Sequence, residues 1–260
     1  MKLFFNNEAK QLNVADERFY ESNLYPGKYY PSVTTILDAY YKGYGFYEWL
    51  KQVGFNADEI LKKAGEQGTH VHELIDKYLI GMPVKWLSET NNMLYTLDEW
   101  TMFMKFIEFW AKFNPERLVN EFSIVSDTLG FGGTIDFVGK INNEIWLIDW
   151  KTSNAIHKTH ELQIAAYAMA WNELNPNYII QRTGILWVNA ATRGEDKQGK
   201  KIQGEGWQLK EFDRSYLEAF ELFKHTQAIW NEENQNYKPK NLIIPTEFVL
   251  KSDAPKDTLF

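Results

Sequence analysis

The chain has no cysteine among its 260 residues. Disulfides and thiolate metal centres are therefore excluded. No Gly-x-x-x-x-Gly-Lys-Ser/Thr string occurs, so no ATP-driven motor is encoded. No apolar run reaches the roughly 20 residues that a membrane-spanning helix needs. Positive charge is short: 28 Lys and Arg face 35 Asp and Glu, for a net charge of −7. Such a balance argues against a protein that coats a polyanion, because non-specific affinity of that kind comes from Lys and Arg on phosphates. A local basic patch would suffice to grip a short stretch. The candidates are Lys62-Lys63, Arg182, Arg193, and Lys197 with Lys200-Lys201, although isolated surface charges are ordinarily just solvated. The opening Met-Lys-Leu-Phe-Phe-Asn-Asn-Glu has no signal-type apolar segment and no Arg-rich transit character, so the expected setting is cytoplasmic.

What is present divides into three stretches. Residues 1–115 are expected to form a short strand pair and a loop, then a mostly helical region whose clearest helices are 57–80 and 96–113; Asn114-Pro115 breaks the second. Residues 116–235 are expected to form the core: strands near 119–126, 132–140 and 144–151, a helix over 157–174, a strand near 179–189, a Gly- and Lys-rich turn at 193–206, a strand at 207–212 and a closing helix over 213–234. Residues 236–260, with Pro239, Pro245 and Pro255, read as an extended tail. A length of 260 residues is enough to bury a sizeable interior.

Two neighbouring strands carry the chemistry. One contains Gly132-Gly133-Thr134-Ile135-Asp136-Phe137-Val138-Gly139, the other Ile145-Trp146-Leu147-Ile148-Asp149-Trp150-Lys151. The short link through Asn142-Asn143 predicts an antiparallel hairpin. Side chains alternate along a strand, so Asp149 and Lys151 share one face and Trp150 takes the other; Asp136 can reach the first face from its own strand. Unpaired carboxylates are costly inside apolar strands. Two acids with a lysine therefore suggest a divalent cation, with oxygen ligands favouring magnesium or manganese over zinc, and a fixed cation for developing negative charge. The bland alternative is a solvated Asp–Lys pair at a strand end, worth little.

The spacing of Asp136 and Asp149-Trp150-Lys151 resembles the catalytic motif of the PD-(D/E)XK nuclease superfamily, and its RecB-like exonuclease branch in particular, which includes the mitochondrial genome maintenance exonuclease and phage and bacterial relatives. Three further segments agree: Gln163-Ile-Ala-Ala-Tyr167 with a Gln-x-x-x-Tyr helix, Gly68-Thr69-His70-Val71-His72 with a Gly-Thr-x-x-His helix, and Tyr30-Pro31-Ser32-Val33-Thr34 with an N-terminal Pro-Ser-Val-Thr segment. The resemblance spans about residues 29–190. It implies a restriction-endonuclease-like α+β core, a mixed sheet with helices on both sides and an N-terminal helical region that contributes His72. It further implies metal binding by Asp136, Asp149, His72 and the Trp150 carbonyl, with Lys151 assisting a nucleophilic water. Gln163, Tyr167, Ser32 and Thr34 would orient the site and contact nucleic acid. The literal Pro-Asp pair is absent, since Ile135 precedes Asp136. The implied activity is a Mg2+-dependent deoxyribonuclease, with Mn2+ as substitute, trimming DNA ends and favouring single-stranded ones. No ATP is required, and the absence of cysteine rules out the iron–sulfur cluster that some relatives carry. A bacterial or phage-infected cell is the expected home.

Other readings stay open beside this one. His72 on an apolar helix face is, taken alone, more often a packed residue than a ligand. Glu121, in Val119-Asn-Glu-Phe-Ser-Ile-Val125, is either a further acid near the site or an outward strand residue. The aromatic stretch 40–50 is either a core-packing helix start or a platform on which unpaired bases stack. His70 and His72 spell the His-x-His of some zinc hydrolases, though those place it on a strand and the flanks here are helical. The competing functions are accordingly a nuclease fold that binds DNA or protein without cutting, and a metallohydrolase acting on a smaller molecule.

Overall fold

The computed structural model describes residues 10–14, 17–190, 193–195 and 201–239. Strands Lys10–Val14 (β1), Glu17–Glu21 (β2) and Tyr29–Pro31 (β3) form a small antiparallel sheet in that order. Helices Val33–Leu37 (α1), Tyr44–Val53 (α2), Ala57–Leu79 (α3) and Leu97–Phe113 (α4) follow. The capping box of Thr96 and Glu99 starts α4, and Asn114, left-handed at φ 43°, stops it before Pro115.

The main sheet comprises Glu116–Ser126 (β4), Phe131–Ile141 (β5), Glu144–Lys151 (β6), Arg182–Trp187 (β7) and Gln208–Lys210 (β10), the last numbered after a short hairpin of Arg193–Glu195 (β8) and Lys201–Gln203 (β9). Its order is β10-β7-β6-β5-β4. All neighbours are antiparallel except β6 and β7, which run parallel because the helix Lys158–Leu174 (α5) carries the chain back between them. The helix Tyr216–Glu233 (α6) closes the described core behind a Ser215–Glu218 capping box. This is the mixed, helix-flanked α+β sheet that the sequence predicts. Two elements differ: the expected turn at 193–206 holds the β8–β9 hairpin, and the expected N-terminal strand pair gains a third strand, β3. Most of the expected tail, residues 240–260, lies outside the described residues, as do Lys197 and Lys200.

Two apolar layers sandwich the sheet. On one side α1, α5 and α6 bury Val33, Ile36, Trp171 and Phe223 against Leu147 and Ile185. On the other α3 and α4 bury Leu74, Phe106 and Phe109 against Ile148, Trp150 and Leu186. The alternation along β6 thus sends Trp150 into the aromatic layer, where it meets Phe106 edge-on at 5.3 Å, and turns Asp149 toward α5. The hairpin that joins β5 to β6 turns at Asn142 and Asn143, both at positive φ (51° and 66°), the geometry of the two-residue turns whose twist matches paired strands.

Gly132 and Gly133 let aromatic rings lie directly on β5. A Cβ at Gly132 would collide with the Tyr20 ring, and one at Gly133 with the Tyr167 ring. Gly65 on α3, by contrast, faces open space. Gly132→Ala is expected to lower the unfolding free energy by about 1–3 kcal/mol through overpacking, and Gly65→Ala to raise it by about 0.5–1 kcal/mol through helix propensity. Urea unfolding of the two variants checks both signs; a neutral Gly132→Ala would contradict the packing described.

Candidate active site

The β5–β6 ladder pairs Phe137 with Ile148, one step short of Asp136 and Asp149. The next step sets the two acids opposite each other on the α5 side of the sheet. Both are buried, at 7% and 1% exposure. On β4, Glu121 sits between the Asn120–Phe137 and Phe122–Ile135 pairs, across from Asp136. Its backbone is left-handed, at φ 43°, a conformation that costs a non-glycine residue roughly 1–2 kcal/mol. The three acids therefore form a row across β4, β5 and β6.

Helix α3 crosses the end of this row. Gly68 brings it close to the chain after β6: a Cβ there would lie 3.2 Å from Thr152 Oγ1. One turn further on, His72 Nε2 donates to the Trp150 carbonyl at 3.2 Å, which fixes the ring. Its Nδ1 then faces two carboxylates, Asp136 Oδ1 and Glu121 Oε1, each at 3.6 Å. One ligand atom from each of His72, Glu121 and Asp136 lies within 4.8 Å of the others. A lone pair pointed at two carboxylates is repulsive unless a positive charge sits among them. Burial alone would depress the His72 pKa, but the Asp136 carboxylate outweighs it and lifts it to about 10. Burial likewise opposes ionisation of Asp136, yet His72, Lys151 and the Trp150 N–H, which donates to Oδ2 at 2.7 Å, hold its pKa below the usual range.

Asp149 is held differently. Gln163 Nε2 donates to its Oδ1 at 3.1 Å, and Lys151 Nζ pairs with its Oδ2. Each oxygen of this buried carboxylate thus faces a different side chain. Burial pushes the Asp149 carboxyl up to about 7, with Lys151 opposing and Asp136 adding to the rise. The Lys151 ammonium is raised: burial opposes it, and Asp149 and Asp136 prevail. Gln163 also reaches the Tyr167 hydroxyl at 3.5 Å, four residues along the same helix face.

These groups line a cleft of about 580 Å3. All ten residues singled out in the sequence come to this region. Asp136, Asp149, Lys151, His72, Glu121, Gln163, Tyr167, Ser32 and Thr34 line the cleft, and Trp150 contributes its carbonyl from the floor. That carbonyl, expected beside a metal, is engaged here by His72. Ser32 caps α1, accepting from Thr35 N at 3.0 Å, and bridges to Gly132. The structure also gathers residues that the sequence reading passed over: Arg18 and Tyr20 from β2, Ser123 from β4 and Thr134 from β5. Thr134 was accessible by simple alternation, lying two residues from Asp136; Arg18 carried no sequence signal.

Other candidates land elsewhere. His70 Nδ1 bonds the buried Glu99 at 2.7 Å, tying α3 to α4 away from His72, so the two histidines do not share a site. Lys62 and Lys63 pair with Glu66 and Glu59. Arg182 pairs with Glu144 and Glu211. The Arg193 and Lys201 side chains fall outside the described ones. The aromatic stretch does not start a core helix: no residue of α2 is buried, and Tyr41 and Tyr44 are each 71% exposed.

A family model for the PD-(D/E)XK nuclease superfamily matches residues 46–236. The chain belongs to that superfamily. The match covers α3 with His72 and all five strands of the main sheet. No curated protein matches the chain. Members of the superfamily are metal-dependent nucleases, and the donors found here fit a divalent ion. Two carboxylates and an imidazole converge, and the Asp149–Lys151 pair lines the same cleft beside them. Among the described residues no helix is long and apolar enough to cross a membrane.

The raised pKa values have a sign. His72 contributes stability that is complete below about 6.5 and lost as pH rises through about 10; Asp149 contributes stability present below about 3.8 and lost as pH rises through about 7. Metal-free protein is therefore expected to lose unfolding free energy from pH 7 to pH 10, and His72→Asn to flatten that decline. Urea titrations at stepped pH, in chelator, measure both slopes; identical slopes in the two proteins would refute the assignment.

Proposed function

We propose that the chain is a metal-dependent deoxyribonuclease of the RecB-like exonuclease type, acting on DNA ends and favouring single strands. The observation that carries the reading is the convergence of His72, Glu121 and Asp136 beside the Asp149–Lys151 pair in one cleft. Magnesium is the proposed ion, with manganese as substitute, held by Asp136, Asp149, His72 and Glu121. A divalent ion there supplies charge to the phosphoryl oxygens and makes water a nucleophile at neutral pH.

The side chains account for the rest. Gln163 donates to one oxygen of Asp149 and Lys151 pairs with the other, so the carboxylate is held from both sides at the cleft wall. Lys151, with its ammonium kept protonated by two acids, offsets the charge that builds on the phosphate during in-line attack. Tyr167 closes the wall behind Gln163. The preference for unpaired strands is supported by the exposed rings between Tyr41 and Phe55, since bases stack on aromatics without regard to sequence.

End-labelled single- and double-stranded oligonucleotides incubated with Mg2+ or Mn2+ test the proposal. Wild type is expected to release short products from ends. Asp149→Asn and Lys151→Ala are each expected to slow cleavage on the order of 100-fold or more, and His72→Ala and Glu121→Gln to raise the Mg2+ concentration needed. Intact DNA with wild type, or full cleavage by the Asp149 and Lys151 variants, would sink it.

A further inference from the structure

The cleft is electrically lopsided. Past the metal-type cluster on one side lie Glu73 and Asp76 of α3, the latter bonded to Asn120. On the other side β4 and β5 carry hydroxyls. Ser123 and Thr134 are paired across the strands, and their side chains meet at 3.1 Å. Ser123 lies two residues from Glu121 and Thr134 two residues from Asp136, so this row stands about 6.8 Å along the sheet at ~3.4 Å per residue. That step is close to the spacing of successive phosphates along an extended single strand. The Tyr20 ring packs over Gly132 just beyond, and its hydroxyl donates to Gln11 Oε1 at 3.3 Å.

Arg18 stands at this end. It and Lys151 are the two permanent cations lining the cleft, and Lys151 is committed to Asp149. Among the described residues Arg18 has no carboxylate partner; its charge is felt by Tyr20. It lies where the cleft adjoins a second cavity of about 850 Å3, between α1 and the end of α6. The surface cations proposed from sequence are, by contrast, paired with acids wherever their side chains are described.

We infer that Arg18, with the Ser123 and Thr134 hydroxyls, forms a subsite for the phosphate next to the scissile one, on one side only. A guanidinium with no carboxylate partner among the described residues and two hydroxyls suit a phosphodiester, whereas Asp76, beside the Glu73–Lys77 pair, disfavours one on the opposite side. The substrate backbone is then held on a single side of the cut, the arrangement that chain-end cleavage requires. This assignment rests on the nuclease reading and adds to it the strand's course.

Two oligonucleotides decide it, each carrying one uncharged methylphosphonate, either on the one side or on the other side of the scissile position. For wild type with Mg2+, one of the two is expected to raise KM about 10-fold, the loss of one charged contact, with kcat within about 3-fold. Arg18→Ala is expected to show that same rise on unmodified DNA and to become indifferent to the methylphosphonate. Its salt dependence should flatten by about 0.7 in log–log slope, one phosphate fewer on a single strand. Arg18→Lys should recover part of the affinity. Equal sensitivity on both sides, or an Arg18→Ala enzyme that still senses the modification, overturns the subsite and leaves the nuclease standing. No cleavage by wild type overturns both.

Discussion

One electrostatic constraint organises the site. His72 is oriented by its Nε2 hydrogen bond to the Trp150 carbonyl, and this leaves Nδ1 facing Asp136 and Glu121. Three acceptors cannot share that point without a positive charge. In the metal-free protein a proton on His72, whose pKa the Asp136 carboxylate raises, satisfies it; a divalent cation held there would satisfy it with more charge. The fold holds this arrangement through features that oppose local preference. Glu121 adopts a left-handed backbone, Asp149 is buried at 1% exposure, and Gly68 interrupts a long helix with a residue that weakens it. Each is unfavourable by itself and makes sense only as part of the cluster.

The surrounding scaffold explains why the cluster is rigid. Trp150 anchors β6 in a layer of rings that includes Phe106, Phe109 and Phe137. Its neighbours Asp149 and Lys151 inherit their direction from that anchor, because the side chains of one strand alternate. On the other face α5 supplies Gln163 and Tyr167 at a four-residue spacing, and Gly133 lets the tyrosine ring come down onto β5. The residues of the cluster thus sit on strands and helices.

Much of this was legible in the order of the residues. Alternation along Ile145–Lys151 separated the acid and the lysine from the tryptophans, and the double asparagine marked the hairpin. The close approach at Gly132-Gly133 was not read from the sequence, because a glycine pair does not say which rings will cover it. Glu121 was undecided, because a strand with regular geometry has no preference for which acid meets a distant histidine. The aromatic stretch 40–50 misled toward a core, since its apolar character is real and its partner surface is absent: α2 buries none of its residues. The basic candidates misled for the converse reason. A lysine count does not reveal which charges are already neutralised by acids one helical turn away.

The sequence by itself determined most of the strand and helix content, the pairing of the central hairpin and the two carboxylates with their lysine, because these depend on periodicity and on neighbours within a few residues. The superfamily motif is likewise written in short segments. Only the tertiary structure decided that Glu121 joins His72 and Asp136, that His70 leaves for Glu99, and that Arg18 arrives at the cleft from a separate small sheet. Those meetings are set by how α3 crosses the sheet and how β2 packs on Gly132. They depend on the shapes of surfaces far apart in the chain, which no local pattern encodes.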